Sequence, residues 1–458
     1  MSEITRREFL RRMAVGTAVV GTTVLTGCDS KSDSQTKSTG ALPDIPIDKM
    51  TYRTNRNSGD KVSILGYGCM RWPTRPKENG EGDELDQEQI NRLVDTAIEH
   101  GVNYFDTSPV YCQGESERAT GIALSRYDRK DYLIATKLSN FSPDTQTYEG
   151  SVQMYRNSLK MLQTDYLDYL LLHAIGGNME DFNRRFINNG VLDFLVAEKK
   201  EDRIRNLGFS FHGSQECFDQ LMKLHDDGAY HWDFVQIQMN YLDWKNAFVP
   251  SEYLYNELTR RNIPVVIMEP LLGGRLSKVN DHIVGEMKSR EPERTVASWA
   301  FRFCGTWENV LTTLSGMTYM EHLEDNLRSF CPLQPLTDDE LDFLDKMATE
   351  IMNYPTIPCT GCQYCMPCPY GLDIPGIFAH YNKCINEGQM PTTSEDENYA
   401  KLRRAFLIGY DRSVPRLRQA DHCVGCRQCV EHCPQKIDIP SQMDRIDEFV
   451  EKLKTNEL

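Results

Sequence analysis

Eight of the fifteen cysteines in this 458-residue chain stand in two short runs near its carboxyl end, each followed by a proline. The second run reads C-x-x-C-x-x-C-x-x-x-C-P, and the first is one residue shorter before its last cysteine. Three thiolates separated by two residues each can ligate one iron–sulfur cube, and the cysteine before the proline can reach a second one. The thiolates expected to ligate iron are Cys359, Cys362, Cys365, Cys368, Cys423, Cys426, Cys429 and Cys433.

The second run matches the pattern of the bacterial ferredoxins, and the helical sequence between the runs resembles the α-helical ferredoxins of respiratory enzymes. This resemblance implies two [4Fe-4S] clusters, each with three ligands from one run and the fourth from the other. The implied sets are Cys359, Cys362 and Cys365 with Cys433, and Cys423, Cys426 and Cys429 with Cys368. Paired C-x-x-C motifs can also bind zinc, but a proline after each run of four favours the clusters.

A second group of polar side chains lies where strand-like segments end in the first half of the chain. The segment FDTSPVY carries Asp106 and Tyr111, ATK ends at Lys137, and LLLH ends at His173. A carbonyl group that accepts hydride develops negative charge on its oxygen, which a nearby donor must stabilise and protonate. A tyrosine hydroxyl has an ordinary pKa near 10, so it needs a neighbouring cation to serve as that donor near neutral pH.

These four residues resemble the catalytic tetrad of the aldo-keto reductases, and DTSPVYCQGESERATG is similar to the signature of that family, DTAxxYGxSExxxG. The resemblance covers residues 61–330. It implies that Tyr111 donates the proton and that Lys137 lowers the pKa of Tyr111. It also implies that Asp106 holds Lys137 in position and that His173 orients the substrate oxygen. Taken singly, the residues have a structural alternative, as a buried ion pair and a hydrogen-bonded histidine at a strand end.

The same resemblance implies a nicotinamide dinucleotide, with a changed binding site. Gln236 and Ser210 match positions that hold the carboxamide, and the residues implied around the cofactor are Ser210, Gln236, Ser315, Gly316, Asp325 and Asn326. Gly316 and His322 stand where the family has the Lys and Arg that bind the 2′-phosphate of NADP. Because each such charge-assisted contact contributes about 1.5–3 kcal/mol, we expect no preference for NADP.

Eight strand-like segments, each followed by a helical stretch, run from about Lys61 to Phe330, and they predict an α/β fold. The segments are VSILGYG, VNYFDTS, YLIATKL, YLDYLLLH, NLGFSF, FVQIQMN, PVVIMEP and VLTTLSG. Eight parallel strands with helices close into a (βα)8 TIM barrel whose active site lies at the carboxyl ends of the strands. We expect this barrel domain over residues 49–335, with a short hairpin before its first barrel strand, and a small α-helical ferredoxin-like domain over residues 336–458.

The first residues have the features of an export signal. Adjacent Arg6 and Arg7 precede a short apolar run, and LTGC ends at Cys28. The pattern resembles a twin-arginine signal with a lipobox, although an ordinary basic helix remains the alternative. We expect a signal over residues 1–28, a Ser-rich flexible tether over residues 29–48, export in the folded state to the periplasmic side, and membrane attachment only through a lipid on Cys28.

The formal net charge of -16 argues against a nucleic-acid partner, which would need clustered Lys and Arg. The sequence therefore predicts an oxidoreductase of the aldo-keto reductase type that acts on a small carbonyl or alcohol substrate. Its clusters would exchange electrons with a redox partner protein. The alternative is an electron-transfer or binding subunit with a non-catalytic barrel. Cys69 and Cys112 next to the tetrad could sense redox state, but inert thiols are the commoner case.

Overall fold

The computed structural model describes residues 45–246 and 249–458. The predicted export signal, Cys28 and most of the predicted tether lie outside the described residues. None of the helices within the described part of the chain is long and apolar enough to cross a membrane.

An antiparallel hairpin precedes the main sheet, as the sequence predicts. Its strands are β1 (Tyr52–Thr54) and β2 (Lys61–Ser63), with Thr54 opposite Lys61. The turn between them is closed where the Asn55 amide donates to the carbonyl oxygen of Asp60. The buried Asn55 side chain also donates to the Tyr169 hydroxyl at 3.2 Å. The hairpin is thereby tied to the wall of the main sheet.

Eight parallel strands form a closed barrel, which confirms the predicted (βα)8 architecture. The remaining strands are β3 (Leu65–Gly68), β4 (Thr74–Pro76), β5 (Asp83–Leu85), β6 (Tyr104–Asp106), β7 (Leu133–Leu138), β8 (Leu167–Ile175), β9 (Ile204–Phe211), β10 (Val235–Gln238), β11 (Val265–Met268) and β12 (Val310–Ser315). Strands β4 and β5 form a separate antiparallel ribbon. The other eight follow chain order around the barrel, which closes where β12 pairs with β3.

Helices surround the barrel between successive strands. They are α1 (Gln87–Glu99), α2 (Ser116–Leu124), α3 (Tyr148–Leu162), α4 (Met179–Phe182), α5 (Val191–Lys200), α6 (Gln215–Asp226), α7 (Ser251–Arg260), α8 (Asp281–Arg290), α9 (Val296–Thr306) and α10 (Met320–Phe330). Helix α1 begins where the Asp86 side chain accepts a hydrogen bond from the Gln89 amide, and it buries Ile90 and Leu93 as its apolar spacing predicts. The chain leaves α1 at Gly101, whose φ of +88° suits glycine.

The interior of the barrel changes from apolar to polar along each strand. Tyr104, Tyr169 and Phe234 pack edge to face near the amino-terminal ends of their strands, with ring centroids 5.0–5.1 Å apart. Side chains alternate along a strand, so Asp106 lies on the same face as Tyr104, two positions further on. Inward-facing polar side chains are therefore collected at the carboxyl ends of the strands, above a packed aromatic floor.

A second, smaller hydrophobic core follows the barrel. Helix α11 (Asp338–Met352) begins with a capping box between Thr337 and Glu340, and its Phe343 and Met347 belong to the core of the barrel. The second core is built mainly from α12 (Ile374–Asn386), α13 (Tyr399–Ser413) and α15 (Ile439–Thr455), and the short helix α14 (Gln428–Glu431) precedes α15. The region after the barrel is helical, as predicted.

Candidate active site

The four residues of the predicted tetrad come together at the mouth of the barrel. Asp106 ends β6, and Lys137 and His173 lie in β7 and β8. The Lys137 ammonium donates a short hydrogen bond to Asp106 and a second one, at 2.8 Å, to the carbonyl oxygen of Thr107. The Lys137 Nζ atom is 4.9 Å from the centroid of the Tyr111 ring. Lys137 and Asp106 are 1% and 3% exposed, so this ion pair is buried beneath the tyrosine.

His173 is held as a neutral imidazole. Burial, and then the positive charges of Lys137 and Arg185, hold the pKa of His173 well below its usual range. Its Nδ1 atom is 2.5 Å from the Ser139 hydroxyl. The Tyr111 and His173 rings meet edge to face with centroids 5.9 Å apart. Ser139 lies one residue beyond β7, and sequence reasoning missed it although it follows the ATKL segment directly.

The electrostatic state of Tyr111 differs from the expected one. Burial raises the pKa of the Tyr111 hydroxyl well above its usual value, and the carboxylates of Asp106 and Glu269 raise it further. A hydrogen bond with Tyr364 acts in the opposite direction. Burial outweighs any effect of the Lys137 charge, so the pKa of Tyr111 is raised and not lowered as expected. Tyr111 therefore keeps its proton near neutral pH.

The two cysteines next to the tetrad are weak nucleophiles in this environment. Cys69 is buried and Cys112 is half-buried. Burial raises the pKa of both thiols, and the Cys112 thiol donates to the carbonyl oxygen of Met70 at 3.4 Å. These observations favour inert thiols over redox sensors.

The residues implied at the nicotinamide are already engaged within the protein. Gln236 and Ser210 are neighbours across β10 and β9. The Gln236 side-chain amide donates to Asp106 at 3.3 Å, and the Ser210 hydroxyl accepts from the amide of Ala174 at 2.8 Å. Both side chains are fully buried. The carboxamide-binding groups are therefore present, but their hydrogen bonds are directed to other parts of the barrel.

The four residues implied at the far end of a dinucleotide lie around the end of β12 and on α10. The side-chain amide of Asn326 donates to the Ser315 hydroxyl at 2.8 Å, and the Thr295 hydroxyl donates to Asp325 at 2.7 Å. A side chain at Gly316 would come within 3.2 Å of the Arg71 side chain. His322 is at an exposed position, and the expected absence of an NADP preference stays a prediction.

The thiols of the two cysteine runs form two groups. The first group lines a small cavity, partly open to solvent, whose walls include Ile374 and Phe378; its thiols are Cys359, Cys362, Cys365 and Cys433. Burial raises the pKa of Cys359 to about 11, and the charges of Cys362 and Cys433 raise it as well. The last cysteine of the second run therefore lies beside the first three of the first run.

The second group combines the remaining thiols. Burial raises the pKa of Cys429 to about 11, and the charges of Cys426, Cys368 and Cys423 act in the same direction. Cys426 is exposed, and the other three are half-buried. The two groups have the membership implied by the exchange of ligands between ferredoxin clusters. Two sets of four thiols, one of them around a cavity, fit the donor set of [4Fe-4S] clusters.

A tyrosine from the first cysteine run reaches into the tetrad. Tyr364 lies between Cys362 and Cys365, and its hydroxyl oxygen is 3.4 Å from the Nε2 atom of His173. The same side chain lies near enough to Tyr111 to act on the pKa of its hydroxyl. Sequence reasoning missed Tyr364, although it is the one aromatic residue within the first run. The helical region and the barrel therefore share this site.

Further contacts hold the cysteine run against the barrel. The Arg71 guanidinium donates to the carbonyl oxygen of Thr360 at 3.0 Å. Gln238 and Gln435 exchange side-chain hydrogen bonds of 2.9 and 3.2 Å. These contacts surround Tyr364 and place the first thiol group directly above the mouth of the barrel.

Comparison with known proteins agrees with this geometry. The model of the aldo/keto reductase family matches residues 64–349, and that of a 4Fe-4S dicluster domain matches residues 358–437. L-galactose dehydrogenase from Arabidopsis thaliana is 32% identical over 319 residues, which are 64% of this chain and 92% of the relative. A probable voltage-gated potassium channel subunit beta from Oryza sativa is 32% identical over 331 residues, covering 65% of this chain and 96% of the relative.

A solved structure supports the fold in the same way. The holo form of an aldo-keto reductase from Bacillus halodurans is 23% identical, with a TM-score of 0.52, and the match covers 65% of this chain and 96% of that one. The family model spans more than half of the sequence and ends just before the cysteine runs begin. The chain is an oxidoreductase that belongs to the aldo/keto reductase family, and it carries a 4Fe-4S dicluster domain after its barrel.

Proposed function

We propose that this protein interconverts a small carbonyl compound and its alcohol at the tetrad, and that its electrons pass through two [4Fe-4S] clusters to or from a redox partner protein. The observation that carries this proposal is the contact of Tyr364 with His173 and Tyr111. Tyr364 stands between two of the proposed cluster ligands. The first set of four thiols therefore lies next to the side chains that would transfer the substrate proton.

The tetrad is suited to the proton chemistry of carbonyl reduction. Tyr111 keeps its proton until the substrate oxygen gains negative charge, and it then donates that proton. Neutral His173 orients the oxygen through Nε2, because its Nδ1 atom is engaged with Ser139. The buried Lys137 ammonium stabilises negative charge on the tyrosine after transfer. Reduction of a carbonyl to an alcohol takes two electrons and two protons. The two bound clusters would supply one electron each, Tyr111 would supply the proton on oxygen, and a proton from solvent would supply the hydrogen on carbon.

The thiols of the two cysteine runs are better suited to ligate iron than to remain as free thiols. Burial raises the pKa of Cys365 to about 12, and nearby thiolates raise it further. A buried thiol group of this kind becomes ionised only when a metal centre compensates its charge, so cluster binding releases protons. We infer that Cys359, Cys362, Cys365 and Cys433 hold one cluster. The other four would hold the second.

The proposal is tested by substrate reduction under anaerobic conditions. The full protein is reduced with dithionite, freed of excess reductant and mixed with a panel of small aldehydes and ketones. We expect the wild type to form alcohol, and we expect the visible absorption of the clusters, which reduction bleaches, to return as the substrate reoxidises them. Tyr111→Phe should form no alcohol and retain its clusters, whereas Tyr148→Phe, at an exposed position, should behave as the wild type. Equal turnover by Tyr111→Phe would contradict the proposal.

A second candidate is an electron-transfer or binding subunit whose barrel does not turn over. This candidate requires that the Tyr364 hydroxyl permanently keeps the place that a substrate oxygen would need. Among the relatives, the proteins named as potassium channel subunits beta are described by their assembly with a channel. Clusters that exchange electrons with a reduced protein such as ferredoxin, without alcohol formation from any member of the panel, would favour this candidate.

We also propose export through the twin-arginine route, with a lipid on Cys28. Support comes from Arg6 and Arg7 ahead of the apolar run and from the clusters, which must be inserted before transport if the protein crosses the membrane folded. Replacing both arginines by lysine should leave the protein in the cytoplasm. Cys28→Ser should release it from the membrane fraction without preventing export. Periplasmic recovery of the double lysine variant would contradict this route.

A further inference from the structure

The Tyr364 hydroxyl occupies the place between the two groups that would bind a substrate oxygen. It contacts the Nε2 atom of His173 at 3.4 Å, and the Tyr364 side chain lies near enough to Tyr111 to affect the pKa of that tyrosine. The ring of Tyr364 is half-buried and lies edge to face with that of His173, with centroids 6.4 Å apart. A carbonyl compound that binds to the same two groups must therefore displace this hydroxyl.

The main chain at Thr360 fills a second part of the mouth. Its carbonyl oxygen accepts from Arg71 at 3.0 Å. A Cβ atom added to Gly273 would lie 2.2 Å from that oxygen and 2.4 Å from the Thr360 Cα atom. Gly273 follows the end of β11, and its amide donates to the buried carboxylate of Glu269 at 2.5 Å.

The groups that would hold a carboxamide are directed elsewhere in the same arrangement. Gln236 donates to Asp106, and Ser210 accepts from Ala174. The space that a nicotinamide ring needs is occupied by the cysteine run and the side chain of Tyr364. The groups that would bind the ring are used in these internal hydrogen bonds. The residues of the site therefore do not fit a bound nicotinamide dinucleotide at the reacting end.

We propose that residues 359–365 form a part of the active site that excludes nicotinamide, with Tyr364 as its specificity-determining residue. The segment and the nicotinamide compete for one place, so a dinucleotide binds only when the segment leaves the mouth of the barrel. This inference rests on the proposed function for the identity of the site. It concerns the binding of a cofactor and not turnover, so either can fail without the other.

Two adjacent glycines offer a matched pair of variants. Gly273 and Gly274 both have positive φ angles, +67° and +94°, so alanine strains the backbone at either position. Only at Gly273 does the added methyl group meet Thr360, because the nearest atom to a Cβ at Gly274 is the Ser277 hydroxyl oxygen at 4.0 Å. Gly273→Ala therefore pushes the segment out of the mouth, and Gly274→Ala controls for the strain.

The test measures the binding of NADH and of NADPH to anaerobically purified full-length protein, by nucleotide fluorescence and by calorimetry. We expect at least a tenfold higher affinity for NADH in Gly273→Ala than in the wild type, and an unchanged affinity in Gly274→Ala. Tyr364→Ala, which removes a side chain instead of adding one, should also bind more tightly. The far-UV circular dichroism spectrum of each variant, together with the EPR signal of the second cluster, verifies that the protein is folded, because the displaced segment carries ligands of the first cluster.

Equal affinities in the wild type and in both opening variants would overturn the inference, and so would the absence of binding in all of them. In the first case the segment does not compete with the nucleotide, and in the second it is not what keeps the nucleotide out. Neither result bears on carbonyl reduction by the reduced clusters, which is measured separately with Tyr111→Phe.

Discussion

Glu117 in α2 provides a quantitative test of how burial near the tetrad changes the pKa of an ionisable side chain. Its carboxylate is 3% exposed and accepts a hydrogen bond of 2.5 Å from the Thr136 hydroxyl in β7. Burial raises the pKa of Glu117 from 4.5 to about 7, while the hydrogen bonds from Thr136 and Ser158 and the charge of Lys137 lower it. The folded protein therefore binds a proton here at pH values where the unfolded chain has lost it.

The sign of the pH effect follows from this difference. Because the folded state binds more protons than the unfolded state between about pH 4.5 and pH 7, the free energy of unfolding falls as the pH rises through that range. One unit of pKa corresponds to about 1.4 kcal/mol. Between pH 5.5 and pH 8 the free energy of unfolding of the wild type should therefore fall by about 2 kcal/mol because of Glu117. A side chain that stays neutral over this range would not cause this loss.

Glu117→Gln removes this titration and retains a side chain of the same shape. We expect the free energy of unfolding of the variant, relative to the wild type, to increase by about 2 kcal/mol from pH 5.5 to pH 8. Urea unfolding of the barrel followed by tryptophan fluorescence at the two pH values measures it. Glu115→Gln at an exposed position is the control and should show little change. A difference that stays constant or decreases with pH would refute the reasoning.

Three further predictions address the site and the clusters. Asp106→Asn leaves a buried lysine ammonium without its carboxylate and should destabilise the barrel by about 3–5 kcal/mol in urea unfolding; a loss below 1 kcal/mol would contradict burial of the pair. Ser139→Ala removes the partner of His173 Nδ1 and should lower kcat for carbonyl reduction about tenfold or more, with unchanged EPR spectra. Cys433→Ser should weaken the EPR signal of one cluster and spare the other, whereas Cys384→Ser, at a buried thiol in α12, should spare both.

The barrel and the convergence of its polar residues could be predicted because they depend on local patterns. Each strand is a short apolar segment, and the rule that strand ends meet at one face brings Asp106, Lys137 and His173 together. The ligand groups likewise follow from spacing and from resemblance to ferredoxins. In each case the information lies within a few neighbouring residues.

The docking of the cysteine run on the barrel could not be predicted, because it depends on contacts between residues far apart in the chain. Tyr364 and His173 are separated by 191 positions, and nothing in either segment indicates the other. The pKa of Tyr111 could not be predicted either, because its direction is set mainly by burial in the folded protein. The packing of α11 on the barrel core was missed for a related reason, because its apolar stripe does not identify its partner.

The central claim is that two sets of four thiols hold paired [4Fe-4S] clusters, one of them against the tetrad. The most direct measurement is iron and acid-labile sulfide in protein purified without oxygen, together with its EPR spectrum after reduction. The account predicts about eight iron and about eight sulfide per chain, with a spectrum broadened by magnetic interaction between the two clusters. Colourless protein with neither iron nor sulfide would contradict it.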